Sequence, residues 1–169
     1  MQEIIWASFS QKKCRISAYA YTDALTGLSN RLAFNEKKAM LKLKENNCII
    51  IQLDINNLKL VNDVYGHSEG DRHIRAAAAI IEESFREFGI CYRTGGDEFI
   101  TVISPYSDEK GATDAIETMK RKSDEYNKNE NPPVRMEIAH GFAVCDDTTK
   151  ELEKTELLAD QRMYECKKK

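Results

Sequence analysis

Three carboxylates raise the first question of chemistry. Asp54 ends the apolar run Cys48-Ile-Ile-Ile-Gln-Leu-Asp54, and Asp97 and Glu98 directly follow Gly95-Gly96. If the two segments are neighbouring strands, the three acids converge on one edge of a sheet. Like charges at close range are costly unless a cation neutralises them, so the cluster points to Mg²⁺ or Mn²⁺ held by oxygen ligands. Such ions serve in-line displacement at phosphorus. The alternative is a pair of solvated acids at a turn, where Gly and Asp are common for conformational reasons. Asp54-Ile-Asn56 also opens like a calcium loop, but Leu58 and Lys59 stand where that loop needs an oxygen ligand and a glycine.

A second constellation runs Lys59-Leu-Val-Asn62-Asp63-Val-Tyr-Gly66-His67-Ser-Glu-Gly70-Asp71. Asn62 offers an amide donor and a carbonyl acceptor, and Asp71 offers an acceptor suited to guanine's N1 and N2 hydrogens. Together they have the chemistry to read a base edge. The other reading makes them ordinary loop residues, with Asp71 capping a helix.

The elements that must position these groups follow from hydrophobic period. Residues 4–21 pattern as an amphipathic helix, and 23–31 form a turn-rich connector in which Ser29 or Asn30 caps a helix over 31–46. Residues 48–54 read as a buried strand that delivers Asp54 at its C-terminal end, where open α/β sheets place ligands. A helix over 70–88 carries Ile74, Ala77, Ala78, Ile81 and Phe85 at helical spacing, with Gly89 as its stop. Residues 90–93 and 99–103 form a hairpin whose Gly95 and Gly96 are expected to supply positive φ. A helix over 108–127, a loop at 129–133, a strand over 134–144 and a helix over 152–167 complete the chain. Strands alternating with helices, plus one hairpin, predict an α/β (α+β) mixed sheet covered by helices.

Bulk properties narrow the classes. At 169 residues the chain suits one domain, and its net charge of -3 argues against duplex nucleic-acid binding. The five cysteines are odd in number and lack a C-x-x-C pair, which suits a reducing cytoplasm rather than a disulfide framework or zinc cage. No run approaches the ~18 apolar residues of a membrane span, so no membrane contact by this domain is expected, although a longer parent protein can be tethered.

In sequence, order and spacing, four segments resemble the GGDEF family of diguanylate cyclases. The signature loop reads Arg93-Thr94-Gly95-Gly96-Asp97-Glu98-Phe99 for the family's R-Y-G-G-D/E-E-F. Asp23-Ala-Leu-Thr-Gly-Leu-Ser-Asn-Arg31 matches D-x-L-T-G-L-x-N-R. The stretch from Asp54 to Asp71 matches D-x-D-x-F-K-x-x-N-D-x-x-G-H-x-x-G-D, and Ala159-Asp160-Gln-Arg-Met163-Tyr164-Glu-Cys-Lys167 is similar to A-D-x-A-L-Y-x-A-K.

The resemblance implies a ferredoxin-like sheet surrounded by helices, similar to nucleotide cyclase and polymerase palm domains. It implies condensation of two GTP into cyclic di-GMP and two pyrophosphates, across a two-fold homodimer. Metal ligands are then the Asp54 and Asp97 side chains, the Ile55 carbonyl and Glu98. Glu98 serves as a ligand or in proton removal, with Asp97 assigned as base. Lys59 faces the phosphates, unless it is a surface lysine with a buried stem. Asn62 and Asp71 bind guanine, His67 supports that pocket, and Lys167 joins the phosphate contacts. Residues 1–21 are expected to be a linker or signalling helix from an upstream sensory domain, and 22–169 the cyclase domain, cut short at its C-terminus.

Several positions depart from the family. Asn56 and Leu58 replace an Asp and a Phe, and Thr94 replaces an aromatic. Arg86-Glu-Phe-Gly89 keeps the arginine of the R-x-x-D product-inhibition site but not its aspartate, so weak or absent feedback is expected. Two rivals are a catalytically silent GTP-binding module and another metal-dependent phosphohydrolase or nucleotidyl transferase. The intact Asp54, Asp97 and Glu98 oppose the first, and Lys59, Asn62 and Asp71 oppose the second.

Overall fold

The structure, a computed structural model, describes residues 19–43, 45–106 and 108–168. The expected entering helix over 4–21 lies outside them as far as residue 18. In chain order the elements are β1 (Ser29–Asn30), α1 (Arg31–Leu41), β2 (Cys48–Ile55), α2 (Leu58–Tyr65), α3 (His67–Phe85), β3 (Ile90–Arg93), β4 (Glu98–Ile103), α4 (Lys110–Glu130), β5 (Ile138–Cys145) and α5 (Leu152–Lys167).

The five strands form one sheet in the order β1-β3-β4-β2-β5. β2 runs antiparallel to β4 and β5, β3 runs antiparallel to β4, and the two-residue β1 pairs in parallel with β3. Apart from β1, this is the ferredoxin-like arrangement. β2 has a strand on each side and helices over both faces, which explains its nearly unbroken apolar sequence. Ile49, Ile51, Leu53 and Ile55 pack in one cluster with α3 and α4, while Cys48 and Ile50 pack in a second with α1 and α5. Burial of each large aliphatic side chain favours the fold by ~1.5–3 kcal/mol.

Ile74, Ala77, Ala78, Ile81 and Phe85 of α3 all join the first cluster, as their spacing predicts. In the second layer, α5 lies close upon β5 at Gly141. A Cβ there would stand 2.7 Å from the Arg162 carbonyl carbon, with Met163 N and Ala159 O nearer still. That approach fixes the end of α5 over the sheet edge where β2 finishes.

Several element boundaries differ from the periodic pattern. α1 is capped by Asn30, whose Oδ1 accepts the Ala33 N–H at 3.1 Å, but it ends at Leu41 rather than at 46. There the Thr148 hydroxyl donates to the Leu41 carbonyl at 2.7 Å. β5 begins at Ile138 instead of 134, because the N–H and C=O of Met136 bond the Asn127 side chain at 2.6 and 2.9 Å in place of a ladder. α4 runs three residues past the expected 127 and stops at Asn131, whose φ is 43°. α3 starts at His67 and ends at Phe85, three residues earlier at each end than the pattern suggests.

Candidate active site

β2 and β4 are neighbours, so the carboxylates do meet at one edge. Asp54 is the register partner of Glu98, and the Ile55 N–H donates to the Asp97 carbonyl at 3.0 Å. The hairpin tip is held by the N–H groups of Thr94 and Gly95, both donating to the Glu98 carbonyl at 3.0 and 3.3 Å. Its glycines do not act as expected. Among the glycines, positive φ occurs at Gly27 and Gly66, not at Gly95 or Gly96. Gly95 instead lies close against Glu98, where a Cβ would sit 2.5 Å from Oε2 at the flexible tip of that side chain and 3.1 Å from its Cβ; Gly96 faces open space.

Asp54 is buried, at 6% exposure, and shares its side of the sheet with Cys48 and Ile50 by strand alternation. Lys167, the last residue of α5, reaches it with Nζ 2.6 Å from Oδ1. Burial pushes the Asp54 pKa up, the Lys167 hydrogen bond opposes this, and the charges of Asp97 and Glu98 raise it further. Among the described residues no three His, Cys, Asp or Glu side chains close into a ready metal cage. The carboxylates share an edge without surrounding a point.

The base-reading candidates lie on the helix pair that follows β2. Asn57 takes a left-handed conformation, φ 60°, and turns the chain sharply from β2 into α2, a position Asn tolerates. Leu58 is buried, so the apolar role of this position is kept. Asn62 on α2 packs against Gly70 of α3, the residue that precedes Asp71. A Cβ on Gly70 would stand 2.9 Å from Asn62 Cγ, with Oδ1 nearer still, so the bare backbone leaves room for the amide. Asp71 does not cap α3: Gly66 occupies the N-cap, and Asp71 lies in the second turn with its carboxylate 3.9 Å from Arg75. Lys59 and His67 are exposed at the starts of α2 and α3. Among the described residues, the buried Oδ1 of Asn56 has no hydrogen-bond partner.

One set of positioning residues escaped the sequence reading, although its motifs were in view. Asp23 accepts from the Thr26 N–H and hydroxyl at 2.9 and 2.7 Å, and from Arg93 Nη1 at 3.0 Å. Arg93 Nη2 in turn donates to the Gly96 carbonyl at 2.8 Å. The connector before β1 is thereby clamped to the acid-bearing hairpin. Thr26, Gly27 with its φ of 78°, and the flanking backbone bonds between Asp23 and Leu28 build the turn that presents Asp23. Arg93, the last residue of β3, closes the loop at the hairpin tip and is largely buried, at 11% side-chain exposure.

Far along the same hairpin, Arg86 and Gly89 border a shallow cleft with Glu82 and Ile90. Gly89 lies so close to β4 that a Cβ would stand 2.5 Å from the Val102 carbonyl oxygen. The aspartate expected by resemblance has been lost together with the room for any side chain.

The strand order and the acid-bearing edge place the chain among ferredoxin-like domains that present carboxylates beside a hairpin. Within that class, the chain belongs to the GGDEF family, matching the description "Diguanylate cyclase, GGDEF domain" over residues 20–169. It is 31% identical over 155 residues to the probable diguanylate cyclase DgcT of Escherichia coli K12, covering 88% of this chain and 34% of that protein. It is 38% identical over 92 residues to the diguanylate cyclase DgcS of Shewanella oneidensis, covering 52% and 31%. The chain spans about a third of the length of the curated relatives it matches. In fold it is similar to the coiled coil and GGDEF domain of DgcB from Caulobacter crescentus, solved with c-di-GMP, at TM-score 0.80 and 22% identity over 99% of this chain and 91% of that one. The DgcB GGDEF domain by itself matches at TM-score 0.71 and 26% identity, covering 88% and 91%. Among the described residues, no helix is long and apolar enough to cross a membrane.

Proposed function

We propose that this domain is an active diguanylate cyclase, condensing two GTP molecules into cyclic di-GMP with release of two pyrophosphates. The observation that carries this reading is the registration of Asp54 against Glu98, with Asp97 tied by its carbonyl to Ile55. Acidic residues thus share one sheet edge, and Asn62 and Asp71 follow on the helix pair that leaves β2.

The donors fit a hard divalent ion, Mg²⁺ or Mn²⁺. Asp54 is a buried carboxylate beside two more acids, its charge disfavoured by burial and partly offset by an ammonium, a setting in which a cation is the natural companion. Asp54, Asp97 and the Ile55 carbonyl are the proposed ligands, with Glu98 beside them. Such an ion supplies charge neutralisation for the triphosphate and its leaving group.

The chain's own residues do the rest. Asn62 and Asp71 orient guanine, His67 supports that pocket, and the carboxylate of Asp71 favours guanine over adenine, which presents an acceptor at N1. Lys59 and Lys167 face the phosphates. The 3′-hydroxyl of one nucleotide attacks the α-phosphorus of the other, a new O–P bond forms as the bond to pyrophosphate breaks, and the hydroxyl proton passes to Asp97 with Glu98 adjacent. A second, reciprocal attack closes the ring. Because one domain holds one GTP, the reaction takes place between two copies of the chain related by a two-fold axis. A cytoplasmic setting and an upstream sensory domain accompany this reading.

The test incubates the purified chain at high concentration with GTP and Mg²⁺ or Mn²⁺, and separates the products by chromatography. Cyclic di-GMP and pyrophosphate in a 1:2 ratio are expected, with synthesis abolished in Asp97→Ala and Glu98→Ala proteins that retain their fold. GTP binding without product, in the isolated chain and in its longer parent alike, would establish a silent nucleotide-binding module instead.

A further inference from the structure

Lys167 delivers a positive charge to the carboxylate that the proposed reaction reserves for a divalent ion. Its Nζ lies 2.6 Å from Asp54 Oδ1, and among the described residues this is the only ion pair of Asp54. A divalent ion and an ammonium compete at that range: they repel one another and both seek the lone pairs of one carboxylate. The two differ in freedom to leave. Asp54 is fixed within β2 with a side chain 9% exposed, whereas Lys167 ends a helix, is 38% exposed and carries a flexible four-carbon stem. The close seat of α5 on Gly141 holds the root of that stem beside the sheet edge while its tip can swing.

We propose that Lys167 exchanges between two partners, the Asp54 carboxylate and the phosphates of bound nucleotide, and so couples loading of the cation to loading of the nucleotide. The inference rests on the reading of Asp54 as a metal ligand and deepens it. In one state the ammonium offsets the charge of Asp54 beside Asp97 and Glu98. In the other, the divalent ion takes over that task and the ammonium is released to the phosphates. Linkage makes the effect reciprocal: whatever draws Lys167 from Asp54 tightens cation binding, and whatever draws it from the phosphates weakens nucleotide binding. The exchange also suits the exposure of the pair, since a half-exposed ammonium is held weakly enough to yield.

The experiment titrates Mn²⁺ alone into the full chain, without nucleotide, by calorimetry and by the electron-spin signal of free Mn²⁺. Lys167→Met is expected to bind Mn²⁺ about five-fold more tightly than the unaltered protein, a value at the low end for coupled sites because the lysine is half exposed. Lys167→Arg, which keeps a cation in place, is expected to stay near the unaltered value. In metal-free buffer, Asp54→Asn should bind a non-hydrolysable GTP analogue more tightly, and the gain should vanish when Lys167→Met is added. Equal or weaker Mn²⁺ binding by Lys167→Met overturns the coupling. Absence of any Mn²⁺ binding that Asp54→Asn removes overturns the metal reading beneath it, so the two failures are distinguishable.

Discussion

Replacing Gly70 by Ala separates the roles that one glycine combines in this fold. It lies within α3, where Ala is favoured over Gly by ~0.8–1.0 kcal/mol. On helix propensity alone, Gly70→Ala should stabilise the protein. The new methyl, however, would stand 2.9 Å from Asn62 Cγ, against 3.4 Å and beyond for ordinary contact, and closer to Oδ1. The obstacle is the tip of a flexible side chain rather than backbone, so the amide rotates away and the helices remain in place. If Asn62 reads guanine with one donated and one accepted hydrogen bond, each worth a net ~0.5–1.5 kcal/mol, the loss is about 1–3 kcal/mol. That corresponds to a roughly 5- to 150-fold weaker dissociation constant. The assay is calorimetric binding of a non-hydrolysable GTP analogue, with thermal melts run on the same protein. Weaker binding with an unchanged or raised Tm is expected, and the binding loss should be absent when Gly70→Ala is made in an Asn62→Ala background. Binding as tight as that of the unaltered protein, or a loss that persists without Asn62, would refute the reasoning.

Three other outcomes follow from the same geometry. Gly89→Asp should not create product inhibition: its Cβ meets the Val102 carbonyl at 2.5 Å, so a cost of ~1–3 kcal/mol and a lower Tm are expected, and strong noncompetitive inhibition by added cyclic di-GMP would contradict this. Asp23→Asn leaves the Arg93 guanidinium with the Gly96 carbonyl but without its carboxylate; turnover should fall more than GTP affinity, for ~1–3 kcal/mol of stability, and an unchanged kcat would remove the clamp from the catalytic account. His73 is buried at 1% exposure, its Nε2 without a partner among the described residues, and burial holds its pKa below the usual imidazole value. The neutral ring therefore favours the fold fully above ~6.5, and stability falls as the pH drops below that value toward the lowered folded pKa. His140, also lowered by burial, adds in the same direction. Melts from pH 8 to 5 should show this decline, reduced in His73→Gln; a flat profile would count against it.

Much of the candidate site was legible from one chain because its residues are written in short stretches. Asp54 to Asp71 and Arg93 to Phe99 each lie within a single turn-linked unit, so residue type and spacing carry the meaning without knowledge of distant contacts. The strand 48–55 could be read from its apolar run for the same reason: a strand covered on both faces leaves no polar alternation. The helix over 152–167 appeared at its expected bounds. At two boundaries where the pattern misled, a side chain from outside the element had intervened. Asn127 takes the backbone bonds of Met136 and delays β5, and Thr148 takes the carbonyl that ends α1.

The amino-acid sequence determined which groups are present and in what order, and hence the family, the acids, the pair proposed to read a base and the missing aspartate at Gly89. The tertiary structure alone decided which of them touch. Asp54 meets Glu98 because β2 and β4 are adjacent in a sheet whose order is not the chain order. Lys167 reaches Asp54 across 113 positions because Gly141 lets α5 lie upon β5, and Arg93 finds Asp23 across 70. Gly89 serves as space rather than as a turn, and Gly95 lies close against the Glu98 side chain. Such contacts depend on packing between segments remote in the chain, where close-packed interiors select a residue by the room left around it, and no local pattern records that room.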